Sequence, residues 1–124
     1  MIYMASPYSH PNPAIREQRF HDACRAAASL IQSGQTVFSP IMFGHPLCGH
    51  CLPTEWGFWE VQDRAHLERC DEVVVLMLAG WRRSAGVAAE IRIARALGKP
   101  VRYLAPQDAT RSPALAHGGE ESPR

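Results

Sequence analysis

Short apolar runs alternate with segments of helical periodicity along the first hundred residues. The apolar runs predict four strands, at residues 1–5, 36–41, 72–78 and 101–104. Between them, apolar side chains recur every three to four positions and predict three helices. Each helix has its own start and stop signals: they run from Asn12 to Gly34, from Thr54 to about Cys70 and from Ser84 to Gly98.

The alternation of strands and helices predicts an α/β fold. A β-α-β-α-β-α-β order calls for right-handed crossovers and a parallel sheet that is covered on both faces. We expect a flavodoxin-like or Rossmann-like three-layer sandwich with about four parallel strands in the order 2-1-3-4. Residues 1–104 would form this single domain. Residues 42–53, with Gly and Pro at both ends, are predicted to be a loop, and the Pro-, Gly- and charge-rich residues 105–124 a disordered tail.

Composition and charge narrow the classes of partner. The formal net charge of +1 gives no field that would attract a nucleic acid polymer or an anionic membrane. The longest apolar run, "VVVLMLA" at residues 73–79, is too short to span a bilayer. The first residues show no signal-peptide pattern. We therefore expect a soluble, cytoplasmic protein.

Two carboxylates occupy positions where apolar residues are expected. Glu90 shares a helical face with Val87 and Ile93, and Asp63 lies between Trp59 and Leu67 on the preceding helix. A carboxylate without water costs several kcal/mol unless it is paired, hydrogen-bonded or protonated. In one interpretation each carboxylate lies at the margin of its apolar stripe or pairs with a nearby arginine, the candidates being Arg64, Arg82, Arg83 and Arg92. In the other, both carboxylates line a ligand pocket.

The beginning of the third helix favours the second interpretation. In open parallel sheets, ligands bind beyond the carboxyl ends of the strands, and this helix points its N-terminus at that edge. Ser84, Ala85 and Gly86 offer backbone N–H groups, a hydroxyl and the positive end of the helix dipole to an anion, although Ser84 could also serve only as a cap. Paired carboxylates beside an anion site fit glycosidic-bond chemistry, in which one attacks or stabilises the anomeric carbon and the other moves a proton.

Three segments resemble the nucleoside 2-deoxyribosyltransferase superfamily, which includes the 2'-deoxynucleoside 5'-monophosphate N-hydrolases. They are "IYMASPYS", "DRAHLERCDEVVVLML" and "SAGVAAEIRIARALGKPV". The resemblance covers roughly residues 1–104, is most specific over 63–100, and is greatest to small bacterial and phage members of that group. It implies cleavage of an N-glycosidic bond, by hydrolysis or base exchange, without a cofactor. It also implies a homodimer or larger homo-oligomer.

The resemblance also implies roles for particular residues. Glu90, four positions after Gly86, would be the nucleophile that attacks C1' of the sugar. Asp63 would orient the sugar or the nucleophile and help to protonate the leaving base. The turn of Ser6, Pro7 and Tyr8 would line the nucleoside pocket. Ser84, six positions before Glu90, matches the serine that contacts a 5'-phosphate in the nucleotide hydrolases and favours a (deoxy)nucleoside 5'-monophosphate as substrate.

Two alternatives of other classes stay open at this point. The first is a non-catalytic nucleotide-binding module on the same fold. The second is a zinc or redox protein that uses "HPLCGHC", where Cys48 and Cys51 form a CxxC pair next to His45 and His50. A redox CxxC normally opens a helix directly after a strand, and closed zinc sites usually draw on two separated ligand pairs. Neither pattern is present, so we predict no metal site in this segment.

Overall fold

A four-stranded, all-parallel sheet in the order β2-β1-β3-β4 forms the centre of the protein. A computed structural model describes residues 1–109. The strands are β1 (Ile2–Ala5), β2 (Val37–Phe38), β3 (Glu72–Leu76) and β4 (Val101–Leu104). The helices are α1 (Pro13–Gln32), α2 (Pro40–Cys48), α3 (Trp56–Glu68), α4 (Ala85–Ala96) and α5 (Pro106–Ala109), and a single 3-10 turn covers Trp81–Arg83. The predicted α/β class and strand order are confirmed.

Helices cover both faces of the sheet because successive strand residues point to opposite sides. On one face, Tyr3 and Val75 pack against apolar residues of α3 and α4, including Leu67 and Ile93. On the other face, Met4 and Leu76 pack against the small residues Ala23, Ala26 and Ala27 of α1. The nearly continuous apolar sequences of β1 and β3 follow from this burial on both sides.

Two of the three predicted helix starts have the predicted side-chain N-cap. The side chain of Asn12 accepts a hydrogen bond from the N–H of Ala14 at 2.9 Å, and Ser84 accepts one from the N–H of Val87 at 3.2 Å. At the third start the prediction was wrong. Helix α3 begins after Glu55, which provides no side-chain cap, rather than after Thr54.

The prediction of a loop over residues 42–53 was wrong for residues 42–48, because residues 40–48 form helix α2. Residues 49–53 are turn and loop, as predicted. The start of α2 carries a signal that the strand prediction for 36–41 obscured. Ser39 caps the N–H of Met42 at 3.1 Å, and Pro40 occupies the first turn, where its missing N–H costs nothing. Strand β2 is correspondingly short. Phe43 contacts the ring of Phe38 and so fixes the helix against the sheet. Tertiary packing thus maintains a helix despite its internal Gly and Pro.

The remaining differences lie at the ends of elements. Strand β3 ends at Leu76, two residues before its predicted end. The first residues of the predicted tail form α5, which packs against α1, so the prediction of disorder was wrong for 106–109. The prediction for 110–124 lies outside the described residues. Across residues 1–109, no helix is both long and apolar enough to cross a membrane.

Candidate functional site

A cavity opens at the carboxyl edge of the sheet. The loop after β1 and helices α2, α3 and α4 surround it. Six of the seven predicted site residues line it together: Ser6, Tyr8, Asp63, Ser84, Gly86 and Glu90. The seventh, Pro7, is fully buried and is not part of the lining. The fold therefore brings residues that are up to 84 positions apart in the chain (Ser6 to Glu90) to one site.

Glu90 lies in the second turn of α4 with only 3% of its surface exposed. The hydroxyl of Tyr3, itself completely buried in β1, donates a hydrogen bond to its Oε2 at 2.5 Å. Burial raises the pKa of Glu90 to about 8; the Tyr3 hydrogen bond opposes that rise, and the nearby charge of Asp63 adds to it. The same burial and the two carboxylates raise the pKa of Tyr3, which keeps its hydroxyl protonated as a donor.

Asp63 is the second buried carboxyl group of the cavity. It lies on α3, which packs against α4, and it is 7% exposed. Burial raises its pKa to about 7. In residues 1–109, none of the ion pairs involves Asp63 or Glu90, and Arg64 pairs instead with Glu68 at 3.4 Å. The interpretation of these carboxylates as marginal residues or partners of arginines is therefore wrong.

The N-terminus of α4 reaches the cavity beside these carboxyl groups. The Ser84 oxygen caps the N–H of Val87, while the Ser84 hydrogen and the first N–H groups of the helix stay available to a ligand. Gly86 lies beside the ring of Trp56, and a Cβ there would be in van der Waals contact with that ring at 3.4 Å. Ser6, 5% exposed at the end of β1, has the only fully buried side-chain oxygen without a hydrogen-bond partner in the described part of the chain. Buried hydroxyls without a partner are rare and suit a ligand-binding surface.

The opposite side of the cavity carries a histidine that the sequence did not place there. His45 lies on α2, and its Nδ1 is 2.6 Å from the hydroxyl of Tyr8. Its Nε2 is 2.8 Å from a carboxylate oxygen of Glu17 on α1. Its ring stacks on Phe20 with centroids 4.4 Å apart. The segment "HPLCGHC" had singled out His45 only as a metal-ligand candidate.

A family model matches residues 1–105 and is described as a domain of unknown function, DUF1937. The chain belongs to this family. No curated protein matches the chain. The DUF1937 match covers the sheet, helices α1 to α4 and every residue that lines the cavity. The cavity is therefore a feature of the domain itself.

The cysteine segment of this DUF1937 domain has a different geometry from a redox or zinc site. Cys48 is the last residue of α2, whereas a reactive CxxC thiol lies at a helix N-terminus. Its Sγ donates to the carbonyl of Pro53 at 3.4 Å. Cys51 is exposed and has a positive φ of 69°. Within residues 1–109, no three His, Cys, Asp or Glu side chains are grouped as metal ligands.

Sequence reasoning missed Tyr3 and His45 for different reasons. Tyr3 carried a usable signal, because a hydroxyl within the apolar strand "MIYMA" needs a buried partner. His45 carried none, since its partners lie on α1 and in the loop after β1, and only the fold brings these elements together. Trp56 and Trp59 of α3 also line the cavity. The indole N–H of Trp59 donates to the carbonyl of Pro53 at 2.8 Å.

Proposed function

We propose that this DUF1937 domain cleaves the N-glycosidic bond of a (deoxy)nucleoside 5'-monophosphate through a glycosyl ester on Glu90. The observation that carries the proposal is the buried Glu90 carboxyl group, which accepts a hydrogen bond from Tyr3 at 2.5 Å inside a cavity. Burying a carboxylate is costly, and a cavity position with one oriented donor is the arrangement that a nucleophile needs.

The reaction balances in two steps. An oxygen of Glu90 bonds to C1' while the bond from C1' to the base nitrogen breaks and the base takes its electron pair and a proton. Water, or a second base, then attacks C1', gives up a proton and releases the Glu90 carboxylate. Asp63 orients the sugar and the nucleophile from the neighbouring helix. Its pKa of about 7 allows it to exchange a proton near neutral pH.

The start of α4 supports a substrate that carries a phosphate. Backbone N–H groups at a helix N-terminus bind phosphate with the help of the helix dipole. The Ser84 hydroxyl and the unpartnered Ser6 hydroxyl add two donors to the same cavity. In the described chain, the cavity lining contains no lysine or arginine. Neutral donors would therefore hold the phosphate close to two carboxyl groups, which favours a substrate of modest charge such as a monophosphate.

The first experiment is chromatographic detection of free base after incubation with a panel of nucleosides and 5'-monophosphates. We expect wild type to release base and Glu90→Gln to lose at least about 10³-fold of that activity, because the amide cannot form the glycosyl ester. Glu60→Gln is the matched control, since Glu60 is an exposed residue of α3 outside the cavity.

Two outcomes would contradict the proposal. One is an absence of base release from every substrate, even with a second base added as acceptor. The other is tight nucleotide binding without turnover, which would identify a non-catalytic binding module instead. Binding measured by calorimetry on the same panel separates these two outcomes.

The homo-oligomer that the resemblance implies stays a prediction. Phe58 and Val61 on α3 are 47% and 77% exposed, an apolar surface that a second copy of the chain would cover. Sedimentation velocity of wild type beside Val61→Glu tests this prediction. A wild-type monomer at micromolar concentration would contradict it.

A further inference from the structure

A hydrogen-bonded chain of three side chains runs from the surface of α1 into the cavity. It begins at Glu17, passes through both ring nitrogens of His45 and ends at the Tyr8 hydroxyl, with distances of 2.8 and 2.6 Å. Glu17 is about half exposed, whereas His45 is 19% exposed. The stacking of His45 on Phe20 fixes the plane of the imidazole. The glycosidase steps described above do not use any of these groups.

This chain and the buried carboxyl groups reach the cavity from different sides. Helix α1, which carries Glu17, packs on one face of the sheet, and helices α3 and α4, which carry Asp63 and Glu90, pack on the other. Helix α2, which carries His45, contacts α1. Tyr8 and His45 therefore line the cavity from the loop after β1 and from α2, whereas the two carboxyl groups line it from α3 and α4.

Displacement at a sugar carbon sets a geometric requirement for the group that protonates the leaving base. When a nucleophile attacks C1', the entering oxygen and the departing nitrogen lie on opposite sides of the carbon. A group that protonates the leaving base must therefore lie across the cavity from Glu90. Asp63 lies on α3, which packs against the helix of Glu90, whereas Tyr8 lines the cavity from the loop after β1 beside His45 of α2.

We propose that the Tyr8 hydroxyl protonates the leaving base and that His45, held by Glu17, resupplies that proton. This inference rests on the proposed function. In this step Tyr8 is the catalytic residue, since its proton goes to the base, and His45 and Glu17 are positioning residues that act through it. Asp63 keeps its part in orienting the sugar and the nucleophile.

The proton transfers balance over the two steps. As the C1'–N bond breaks, the Tyr8 proton moves to the base and a proton on Nδ1 of His45 moves to the Tyr8 oxygen. Nε2–H of His45 still donates to Glu17. When water attacks the glycosyl ester, its proton returns through Tyr8 to Nδ1.

The surroundings of Tyr8 and Glu17 determine which protons these two side chains hold at rest. Burial and the neighbouring Cys48 raise the pKa of Tyr8 to about 12, against a smaller opposing effect of Arg16. The hydroxyl is therefore protonated at rest, and because it is a weak acid it gives up its proton only as His45 supplies another. The His45 hydrogen bond lowers the pKa of Glu17, which keeps that carboxylate charged beside the imidazole. The other oxygen of Glu17 pairs with His21 at 3.0 Å on the same helix.

A pair of substrates with different leaving groups tests the proposal. The first is the best nucleotide from the panel, whose base needs a proton to leave. The second is a 4-nitrophenyl (deoxy)ribofuranoside 5-phosphate, whose nitrophenolate leaves without one. We expect Tyr8→Phe and His45→Gln to lower base release by about 10²–10⁴-fold and nitrophenolate release by less than about threefold.

His21→Gln is the matched control for His45→Gln. His21 bonds to the same Glu17 carboxylate but is 55% exposed and does not line the cavity. We expect this variant to retain both activities. Far-UV circular dichroism and thermal unfolding of each variant establish that it is folded.

Every outcome decides the proposal. Equal losses on both substrates in folded variants, or no loss on either, would overturn the proton relay while leaving the glycosidase intact. If wild type releases nitrophenolate and base but Glu90→Gln retains both activities, the nucleophile is wrong. If wild type cleaves neither substrate, the proposed function fails and the relay fails with it.

Discussion

On one side of the cavity, Asp63 and Glu90 are held away from water, and the hydroxyl of Tyr3 donates a hydrogen bond to Glu90. On the other side, His45 and Glu17 form a continuous hydrogen-bonded chain that ends at a half-exposed carboxylate. Burial destabilises the charged forms of Asp63 and Glu90, whereas the hydrogen bond with His45 stabilises the charged form of Glu17.

The difference separates groups that change their bonding from groups that exchange protons with water. A buried carboxyl group with a raised pKa suits a group that bonds to carbon in a dry cavity. A histidine held between a hydroxyl and an exposed carboxylate suits a group that must recover its proton from solvent in each cycle.

After Glu90→Gln, replacing Asp63 by Asn should have the largest effect on catalysis on the carboxyl side. We expect the maximal rate of base release to fall by about 10²–10³-fold, since Asp63 orients the sugar and the nucleophile. The acidic limb of the kcat/KM profile should also move to lower pH, because the Asp63 charge contributes to the raised pKa of Glu90. Steady-state kinetics across pH 5 to 10 measure both effects. An acidic limb that moves to higher pH would contradict the effect of the Asp63 charge on the pKa of Glu90.

Replacing Glu90 by Gln should stabilise the fold above neutral pH. The pKa of Glu90 is raised to about 8, so the folded chain holds its proton more tightly than the unfolded chain. The ionisation of Glu90 therefore lowers the free energy of unfolding. This loss is absent below the pKa of Glu90 in the unfolded chain, near 4, grows as pH rises and is complete above about pH 8. We expect Glu90→Gln to exceed wild type by roughly 2–4 kcal/mol in the free energy of unfolding at pH 9 and to equal it at pH 4.

Urea unfolding at the two pH values measures this difference, and Glu17→Gln is its counterpart on the opposite side. Glu17 is half exposed and its pKa is lowered, so its replacement should bring no gain at either pH. An equal gain at both pH values for Glu90→Gln would show that relief of packing, and not of charge burial, is responsible.

Replacing Tyr3 by Phe should act on Glu90 in the opposite direction from Asp63→Asn. Loss of the 2.5 Å hydrogen bond removes the donor that opposes the rise in the Glu90 pKa. We expect the acidic limb of kcat/KM to move upward by about one pH unit, the size of a hydrogen bond to a charged group. The rate at neutral pH falls accordingly, by about 10-fold. If the acidic limb stays at the same pH, Tyr3 contributes to core packing and not to the pKa of Glu90.

Substitutions of Ser84 should have the smallest effects and separate capping from phosphate binding. Ser84→Ala removes the cap on Val87 and should cost about 1 kcal/mol of stability. Ser84→Asp keeps a capping oxygen and adds a negative charge, so stability should hold while the preference for a 5'-monophosphate over the nucleoside declines. Thermal unfolding and the ratio of the two KM values measure these effects. An unchanged ratio in Ser84→Asp would limit Ser84 to capping.

Local sequence features predicted the architecture well and element ends less well. The apolar runs of β1 and β3 indicated burial on both faces, and the capping signals at Asn12 and Ser84 operate as expected. Helix α2 was missed because Gly44 and Pro46 disfavour a helix locally, whereas the Ser39 cap and packing against the sheet decide in its favour.

By itself, the sequence determined the α/β class and the two buried carboxyl groups, because strands and helices alternate along the chain and periodicity places Asp63 and Glu90 on apolar faces. Only the tertiary structure decided their partners. Tyr3 reaches Glu90 across 87 positions of the chain, and His45 joins Tyr8 to Glu17 from three separate segments. Hydrogen bonds of this kind depend on distances between elements, and those distances are set by how the helices pack on the sheet rather than by local pattern.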